Sequence, residues 1–207
     1  MLLAIDTSTG TSVAVVDRDG GVLAEVASDD PMRHAEAIGT QIRDALAAAG
    51  VAPSELSGVA AGMGPGPFTG LRVGIAAAHA FALGIGRPFV PVVSHDAVAW
   101  TWYRDGGTGP LQVVTDARRR ESAVSDYDGL DADGLPVRVE GPRLTPRDAV
   151  PDAPGTRLDA TVVPAGGVGM VAEFAYAAGR LPLTADEPLY LRAPDVTPPA
   201  PGKRVTQ

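Results

Sequence analysis

The sequence predicts an α/β fold made of two tandem copies of one unit, the first complete and the second degenerate. The first copy is expected to run strand, strand, strand, helix, strand, helix, strand (βββαβαβ), because short apolar runs alternate with residues at helical spacing. Its opening pattern then returns: Asp6 to Asp116 and Ser12 to Ser122 are both offsets of 110 residues. In each copy an apolar strand ends at the aspartate, and a second strand and a turn follow, which together indicate a duplication.

Composition limits the classes of function that fit. The 207 residues suffice for one large domain or two small ones, and 17 basic against 25 acidic residues give a net charge of −8. Such an acidic chain is a poor nucleic-acid binder by itself. The absence of cysteine excludes disulfides, cysteine-type zinc sites and thiol catalysis, and it fits a cytoplasmic location. We expect no signal peptide at "MLLAIDTS" and no membrane span, since the longest apolar run, around Gly74–Gly86, is short and contains His79.

Turn signals and helical spacing define the elements of the first copy. "DRDGG" (Asp17–Gly21) is a turn between two strands, Pro31 interrupts the chain before a helix, and Gly50 ends that helix. The predicted elements are the strands Leu2–Ile5, Thr11–Val16, Val22–Ala27, Gly58–Met63 and Phe89–Val93, and the helices Arg33–Ala49, Gly70–Ile85 and Ala97–Tyr103.

A glycine-rich linker, "RDGGTGP" (Arg104–Pro110), predicts the boundary between the copies. We expect an N-terminal domain at residues 1–105 and a smaller C-terminal domain at residues 106–193. Residues 194–207 are proline-rich and polar, which is typical of a disordered tail. The later predicted elements are the strands Val137–Val139 and Thr161–Pro164 and the helix Gly169–Ala178.

The turn "DTSTGTS" (Asp6–Ser12) has two interpretations. A carboxylate at a strand end, followed by small hydroxyl residues, can hold a phosphate and its metal ion. The same residues also make an ordinary hairpin turn whose side chains bond to the backbone, and the motif alone favours this reading. Two such aspartates on corresponding turns of a duplicated unit, facing each other across a cleft, describe the actin-like ATPase fold (the ASKHA superfamily).

The chemistry of that cleft looks degenerate. Active members usually carry a glycine two residues after each aspartate, where the backbone approaches phosphate, but this chain has Ser8 and Arg118. "DARRR" (Asp116–Arg120) places bulky cations in the second loop, and "AGGVGM" (Ala165–Met170) is either a remnant of the adenine-side glycine pair or a strand-to-helix turn. We therefore predict a vestigial nucleotide cleft at most, formed by Asp6, Ser8, Thr9, Asp116, Gly166 and Gly167.

The segment "GMGPGPFTGLRVG" (Gly62–Gly74) is rich in glycine but lacks the Gly-Lys-Ser/Thr ending of a P-loop. We interpret it as a strand-to-helix turn with Thr69 as the N-cap. The helix that follows is apolar on almost every face, so each face needs a covering layer. Its own sheet can cover one face; the first helix or another chain must cover the other, and intramolecular packing alone is the alternative. The predicted partner-binding residues are Ala35, Ile38, Ile42, Leu46, Gly70, Gly74, Ala77, Ala78, Phe81 and Ala82.

The residue order indicates neither a zinc site nor a Ser-His-Asp arrangement. His34, His79 and His95 are widely separated and form no HxxxH or HExxH pair, so a zinc site is not expected. His34 near a helix start and His95 near a strand–helix junction are expected to cap or pack.

Five motifs in order resemble the TsaB (YeaZ) family, the small actin-like subunits of the bacterial machinery that makes threonylcarbamoyladenosine (t6A) in tRNA. The "GPGxFTGLRxG" signature is specific, and the N-terminal half matches better than the C-terminal half. Pro67 departs from the serine that is common in the family, and residues 129–159 match poorly. The matching segments are Leu2–Thr9, His34–Ile42, Gly62–Gly84, Asp116–Glu121 and Pro188–Pro194.

The resemblance implies a non-catalytic scaffold or activator in the cytoplasm. It implies binding to a TsaD-type transferase subunit through helices Arg33–Ala49 and Gly70–Ile85, and help in recruiting a TsaE-type ATPase. It implies no cofactor required by this chain, with ATP or ADP allowed at the interface of the complex, and contact with tRNA only through that complex. Two alternatives stay open: an active small-molecule kinase or ATPase of the actin-like class that uses Asp6 and Asp116 with Mg-ATP, and a stand-alone homodimer.

Overall fold

The computed structural model describes residues 1–28 and 34–192, and in these ranges the chain forms two sheets and four α-helices. The predicted tail at residues 194–207 lies outside the described residues. The strands are β1 (Leu2–Asp6), β2 (Thr11–Asp17), β3 (Gly21–Ser28), β4 (Gly58–Gly62), β5 (Phe89–Val92), β6 (Leu111–Asp116), β7 (Glu121–Leu130), β8 (Pro136–Pro146) and β9 (Thr156–Asp159). The helices are α1 (His34–Ala49), α2 (Phe68–Ile85), α3 (Ser94–Arg104) and α4 (Ala165–Ala177).

The first sheet has the order β3-β2-β1-β4-β5 and matches the predicted βββαβαβ unit. Strands β1 and β2 are antiparallel with Asp6 opposite Ser12, whereas β1 pairs in parallel with β4, and β4 with β5. The parallel connections run through α1 and α2, as parallel strands require a crossover. The central strand β1 is buried along its whole length, which explains its unbroken apolar sequence.

Helices cover both faces of the first sheet. Leu3 and Ile5 point towards α1 and α2, and the alternate residues Leu2 and Ala4 point towards α3 and α4. The fourth helix therefore comes from the second half of the chain but completes the core of the first. Its close approach depends on Gly169, where a Cβ would meet Val16 Cγ2 at 2.6 Å.

The second sheet, β8-β7-β6-β9, confirms the duplication. Asp116 lies opposite Ser122 in the β6–β7 pair, as Asp6 lies opposite Ser12, and β6 pairs in parallel with β9 as β1 does with β4. Helix α4 follows β9 as α2 follows β4. The degeneration is also visible: the connection from β8 to β9 contains a 3-10 turn, Arg147–Ala149, where the first copy has α1.

Three predictions for the second half are wrong in detail. The strand expected at Val137–Val139 extends over Pro136–Pro146. The strand expected at Thr161–Pro164 is irregular chain, and the strand that joins the sheet is Thr156–Asp159, an exposed edge with no apolar run to reveal it. Helix α4 begins at Ala165, four residues earlier than expected, because its glycines serve close packing and do not form a loop.

One helix of the described part, α2, has the length and apolar composition of a membrane span, with 33% of that window buried within the protein. Its 18 residues extend over about 27 Å. Helices in protein cores meet the same criterion, and α2 packs on the first sheet through Leu71, Ile75 and Ala78.

Candidate functional site

A cleft of about 800 Å³ opens where the two copies meet. The β1–β2 turn contributes Ser8 and Thr9, the start of α2 contributes Thr69, and the β6–β7 pair contributes Asp116 and Ser122. This is the position in which the duplicated aspartates were expected to face each other, and the two aspartates turn out to have different environments.

The Asp6 side chain is buried, and hydrogen bonds from neighbouring residues fix its carboxylate. Its carboxylate accepts hydrogen bonds from Ser8 N at 2.7 Å, from the Ser8 hydroxyl and from Ser94 Oγ at 2.6 Å. A Cβ on Gly62 would lie 1.7 Å from Asp6 Oδ2, so the strand β4 beside it must carry a glycine. Burial raises the pKa of Asp6, against the lowering effect of these hydrogen bonds. Asp6 therefore joins β1, β4 and α3 and does not line the cleft, contrary to the prediction.

Asp116 is half exposed and lines the cleft, as predicted, but it is also engaged. Its Oδ1 accepts the backbone N–H of Arg118 at 3.1 Å and forms an ion pair with Arg147. The turn after it holds Arg118, Arg119 and Arg120 at φ values of 64°, 52° and 63°. This left-handed conformation suits glycine and costs other residues about 1 kcal/mol each. The turn thus keeps a glycine-type backbone while carrying three cations.

The structure does not bring Gly166 and Gly167 to the cleft. Both lie in the first turn of α4, where a Cβ on Gly166 would meet Val22 Cγ2 at 2.7 Å and one on Gly167 would meet the Ala97 carbonyl at 2.5 Å. Gly166 N donates to Glu25 Oε1 at 3.2 Å, so a side chain of the first copy caps this helix. These glycines therefore belong to a strand-to-helix turn and not to an adenine site. They let α4 pack closely on the first copy, and Glu25 bonds to the N-terminus of the helix.

The glycine-rich segment at residues 62–74 is a packed structural turn. Thr7 Oγ1 donates to the Gly70 carbonyl at 2.8 Å and accepts Gly74 N at 3.1 Å, which fixes the start of α2 to the β1–β2 turn. A Cβ on Gly66 would meet the Ser8 carbonyl at 2.6 Å. The N-cap is Pro67, not Thr69 as predicted, and it gives the helix no side-chain cap.

The residues assigned to a partner surface are mostly core residues, which corrects that prediction. The apolar spacing identified the faces of α1 and α2 that pack on the first sheet, and spacing alone does not distinguish a sheet from a partner. Ala77 and Phe81 are half-buried, and the side chain of Ala35 lies outside the described part. The buried members are Ile38, Ile42, Leu46, Gly70, Gly74, Ala78 and Ala82.

The opposite side of α2 presents a different set of residues to solvent, here called the outer stripe. Leu83 is 84% exposed. The stripe lies beside exposed positions of α1, among them Gly39, Thr40 and Ala47, on the same side of the first sheet. Its members recur at helical spacing: Thr69, Arg72, Ala76, Ala80 and Leu83.

A C-terminal strap at residues 186–190 covers one flank of α2, which sequence patterns did not reveal. Arg72 Nε donates to Tyr190 Oη at 2.8 Å, and His79 Nε2 lies 2.9 Å from Asp186 Oδ1. Leu189 N also donates to the Met63 carbonyl at 2.7 Å. Part of the second covering layer of α2 is therefore intramolecular.

A buried polar cluster joins α3 to the second sheet. His95 Nδ1 lies 2.8 Å from Ser125 Oγ, and its Nε2 lies 2.9 Å from Thr115 Oγ1. Burial, and to a smaller extent the charge of Arg138, lowers the pKa of His95 to about 3. His95 is thus a neutral bridge between the copies, more specific than the packing role expected of it. Among the described residues, no group of three or more His, Asp or Glu side chains is placed to hold a metal ion.

The geometry can be compared with known proteins. A family model described as TsaD, tRNA N6-adenosine threonylcarbamoyltransferase, matches residues 5–134. An uncharacterized protein of Mycobacterium tuberculosis (H37Rv) is 39% identical over 208 residues, covering 95% of this chain and 94% of that protein. The tRNA threonylcarbamoyladenosine biosynthesis protein TsaB of Escherichia coli K12 is 34% identical over 127 residues, 61% of this chain and 54% of TsaB.

Solved structures agree. YeaZ from Pseudomonas aeruginosa superposes with a TM-score of 0.75 at 31% identity, covering 92% of this chain and 99% of YeaZ. A second Pseudomonas aeruginosa structure, of an uncharacterized protein similar to peptidase YeaZ, gives a TM-score of 0.77 at 30% identity with the same coverage. The match to the TsaD family model over more than half of the chain, together with this likeness to YeaZ over almost its full length, shows that the chain belongs to the TsaB (YeaZ) family of actin-like proteins.

Proposed function

We propose that this chain is a non-catalytic, cytoplasmic subunit of the machinery that makes t6A in tRNA. In this role it binds a TsaD-type transferase subunit and helps to recruit a TsaE-type ATPase. The proposal is supported by the relatedness to E. coli TsaB and by the match to the TsaD family model. A chain related to its own partner suits a pseudo-symmetric pair in which equivalent helices meet.

The observation that carries the partner role is the outer stripe of α2. Leu83 is exposed to 84%, and its neighbours Ala76 and Ala80 are small, so a second helix can approach closely. Burial of the Leu83 side chain by a partner would stabilise a complex by about 2 kcal/mol.

A catalytic role finds less support in the cleft. The Asp6 carboxylate accepts hydrogen bonds from Ser8 and Ser94, and Asp116 forms an ion pair with Arg147. Neither carboxylate is therefore free to hold Mg-ATP, as an active kinase would require. We propose that the chain needs no cofactor of its own and that any ATP or ADP binds at the interface of the complex. With a net charge of −8, contact with tRNA is expected to run through the partner.

The test is association with the TsaD-type subunit of the same organism, measured by titration calorimetry and by co-purification. Leu83→Asp places a charge at the C-terminal end of the outer stripe, on its most exposed large apolar side chain. It should weaken binding at least about a hundredfold, since a buried, unpaired charge costs several kcal/mol. Tyr176→Asp is the matched control, because Tyr176 is 73% exposed on α4 at the other face of the sheet. Circular dichroism checks that both variants fold.

Three outcomes are informative. Loss of binding in Leu83→Asp, with Tyr176→Asp unchanged, supports the proposal. Equal binding by both variants removes the outer stripe from the interface. Self-association that is lost in Leu83→Asp, with no binding to the transferase subunit, would replace the proposal with the homodimer.

A further inference from the structure

One positive charge lies within the otherwise uncharged outer stripe of α2. Arg72 is exposed, and within residues 1–28 and 34–192 its guanidinium forms no ion pair with a carboxylate. Leu83 follows eleven positions later. This spacing is about three helical turns and about 16 Å, so the two side chains leave α2 on the same side. A helix that covers Leu83 can therefore also reach the Arg72 guanidinium.

The guanidinium of Arg72 is held in one orientation by two aromatic rings. Its Cζ lies 3.7 Å from the centroid of the Phe68 ring and 5.6 Å from that of the Tyr190 ring, and the two rings lie 4.5 Å apart. The hydrogen bond to Tyr190 Oη uses only Nε, so the Nη groups stay available to an acceptor on another molecule. A preoriented side chain loses less entropy when a partner binds it.

The strap that carries Tyr190 is attached to the first copy by contacts that do not involve Arg72. Leu189 N donates to the backbone carbonyl of residue 63 at 2.7 Å, and Asp186 Oδ1 lies 2.9 Å from His79 Nε2. The position of Tyr190 is thus determined by its neighbours in the strap. Tyr190 in turn orients Arg72.

The surroundings of Arg72 favour a protein carboxylate as its ligand. Ala76 and Ala80 continue the stripe towards Leu83 without charge, and the strap adds two exposed carboxylates, Asp186 and Glu187, beside the same helix. Nucleic acid binds where several cations neutralise its phosphates, and one arginine near two carboxylates does not provide that. A helix with an apolar face and one carboxylate complements both the small apolar residues and the guanidinium.

We propose that the strap positions Arg72 to bind a carboxylate of the partner, on a helix whose apolar face covers Leu83. This inference rests on the proposed function, since it names the chemistry of the helix that the outer stripe receives. Arginine pairs with carboxylate through two parallel hydrogen bonds, which fixes geometry as well as charge. A charged contact and an apolar contact about 16 Å apart also set the register and direction of the partner helix, which apolar burial alone leaves open. Tyr190 is then a positioning residue, because it orients the guanidinium that contacts the partner.

The experiment is calorimetric titration of the full chain with the TsaD-type subunit at two ionic strengths. Arg72→Gln should weaken binding about tenfold or more, as expected for the loss of a charged hydrogen bond. It should also reduce the weakening that the parent chain shows when the ionic strength rises from about 0.05 M to about 0.5 M. Arg104→Gln is the matched control. The Arg104 Cζ also lies over a ring, 5.3 Å from the Trp100 centroid, but on the other face of the first sheet, so the affinity should change less than about twofold.

A double-mutant cycle tests whether Tyr190 acts through Arg72. Tyr190→Phe keeps the ring and removes the hydrogen bond to Nε. It should weaken binding about threefold in the parent chain, in line with one neutral hydrogen bond, and should have no further effect in Arg72→Gln. A merely structural role of Tyr190 would give the same loss in both backgrounds.

The outcomes separate failure of this inference from failure of the proposed function. Unchanged affinity or unchanged salt dependence in Arg72→Gln would overturn the carboxylate contact, and equal losses from Tyr190→Phe in both backgrounds would overturn the positioning role. Loss of binding in Leu83→Asp with unaltered binding in Arg72→Gln removes this inference alone. If the parent chain itself does not bind the transferase subunit, the proposed function fails and this inference fails with it. Circular dichroism checks that each variant is folded.

Discussion

Replacement of Gly74 by alanine tests whether the start of α2 is locked to the β1–β2 turn. In the middle of an exposed helix this change is stabilising, because glycine costs about 1 kcal/mol relative to alanine. At Gly74 the new Cβ would lie 2.2 Å from Thr7 Oγ1 and 2.9 Å from Thr7 Cγ2, so the threonine must move. Thr7 would then lose its hydrogen bonds to the Gly70 carbonyl and to the backbone N–H of residue 74.

The expected loss can be worked from these contacts. Overpacking of a well-filled core costs about 1–3 kcal/mol, and two buried hydrogen bonds are worth about 1 kcal/mol each. The higher helix propensity of alanine stabilises the fold by about 1 kcal/mol and offsets part of this loss. The net decrease in the free energy of unfolding is therefore about 2–4 kcal/mol. A loss of about 3 kcal/mol lowers Tm by roughly 6–12 °C for a chain of this size.

Gly84 provides the matched control in the same helix. A Cβ there meets nothing within 4 Å, so Gly84→Ala should raise the free energy of unfolding by up to about 1 kcal/mol. Both variants can be compared by urea denaturation followed by circular dichroism and by calorimetry. Two results would refute the proposed attachment of α2 to Thr7. One is a free energy of unfolding of Gly74→Ala within about 0.5 kcal/mol of that of the parent chain; the other is an equal loss of stability in Gly84→Ala and Gly74→Ala.

Two further predictions concern buried ionisable groups. His95 faces Thr115, Ser125 and the charge of Arg138, and its pKa is about 3 in the folded state, so it stays neutral there at pH 5 to 6. In the unfolded chain its pKa is about 6.5. Its contribution to stability is therefore lost as the pH falls through this window. The difference in free energy of unfolding between the parent chain and His95→Gln should shrink by about 1.4 kcal/mol per pH unit from pH 6 to pH 5, and a constant difference in urea denaturation would contradict this. Asp6→Asn should reduce the free energy of unfolding by about 1–3 kcal/mol, because an amide cannot accept from both Ser8 and Ser94; unchanged stability together with loss of ATP binding would instead restore the nucleotide role.

The first half of the fold was predictable because local patterns and tertiary packing agree there. Strand β1 is an apolar run between polar turns, and α1 carries apolar residues at helical spacing, so the observed bounds of these two elements differ from the predicted ones by one residue. Helix α3 begins at Ser94, three residues before its predicted start. The second half carried weaker signals. Strand β9 is an exposed edge of four residues, TRLD, whose place in the sheet depends on its parallel pairing with β6 rather than on its own composition.

The sequence predicted the position of the cleft but not the hydrogen bonds and ion pairs of the residues around it. The spacing of Asp6 and Asp116 located the turns that border the cleft. It could not show that Ser94, 88 residues away in sequence, turns one carboxylate inward, or that Arg147 pairs with the other. Likewise, the three histidines were seen to make no metal motif, but the two hydroxyls that hold His95 come from the second sheet.

The sequence by itself determined the duplicated α/β fold and the family, because apolar periodicity, turn residues and the glycine-rich signature are local properties of the chain. Tertiary structure alone decided which face of α2 meets the sheet, where α4 packs, and which polar groups are satisfied. Those properties depend on which residues from distant segments come within a few ångströms of one another. Gly74 illustrates the difference: its presence is visible in the sequence, and its reason is Thr7, 67 positions earlier.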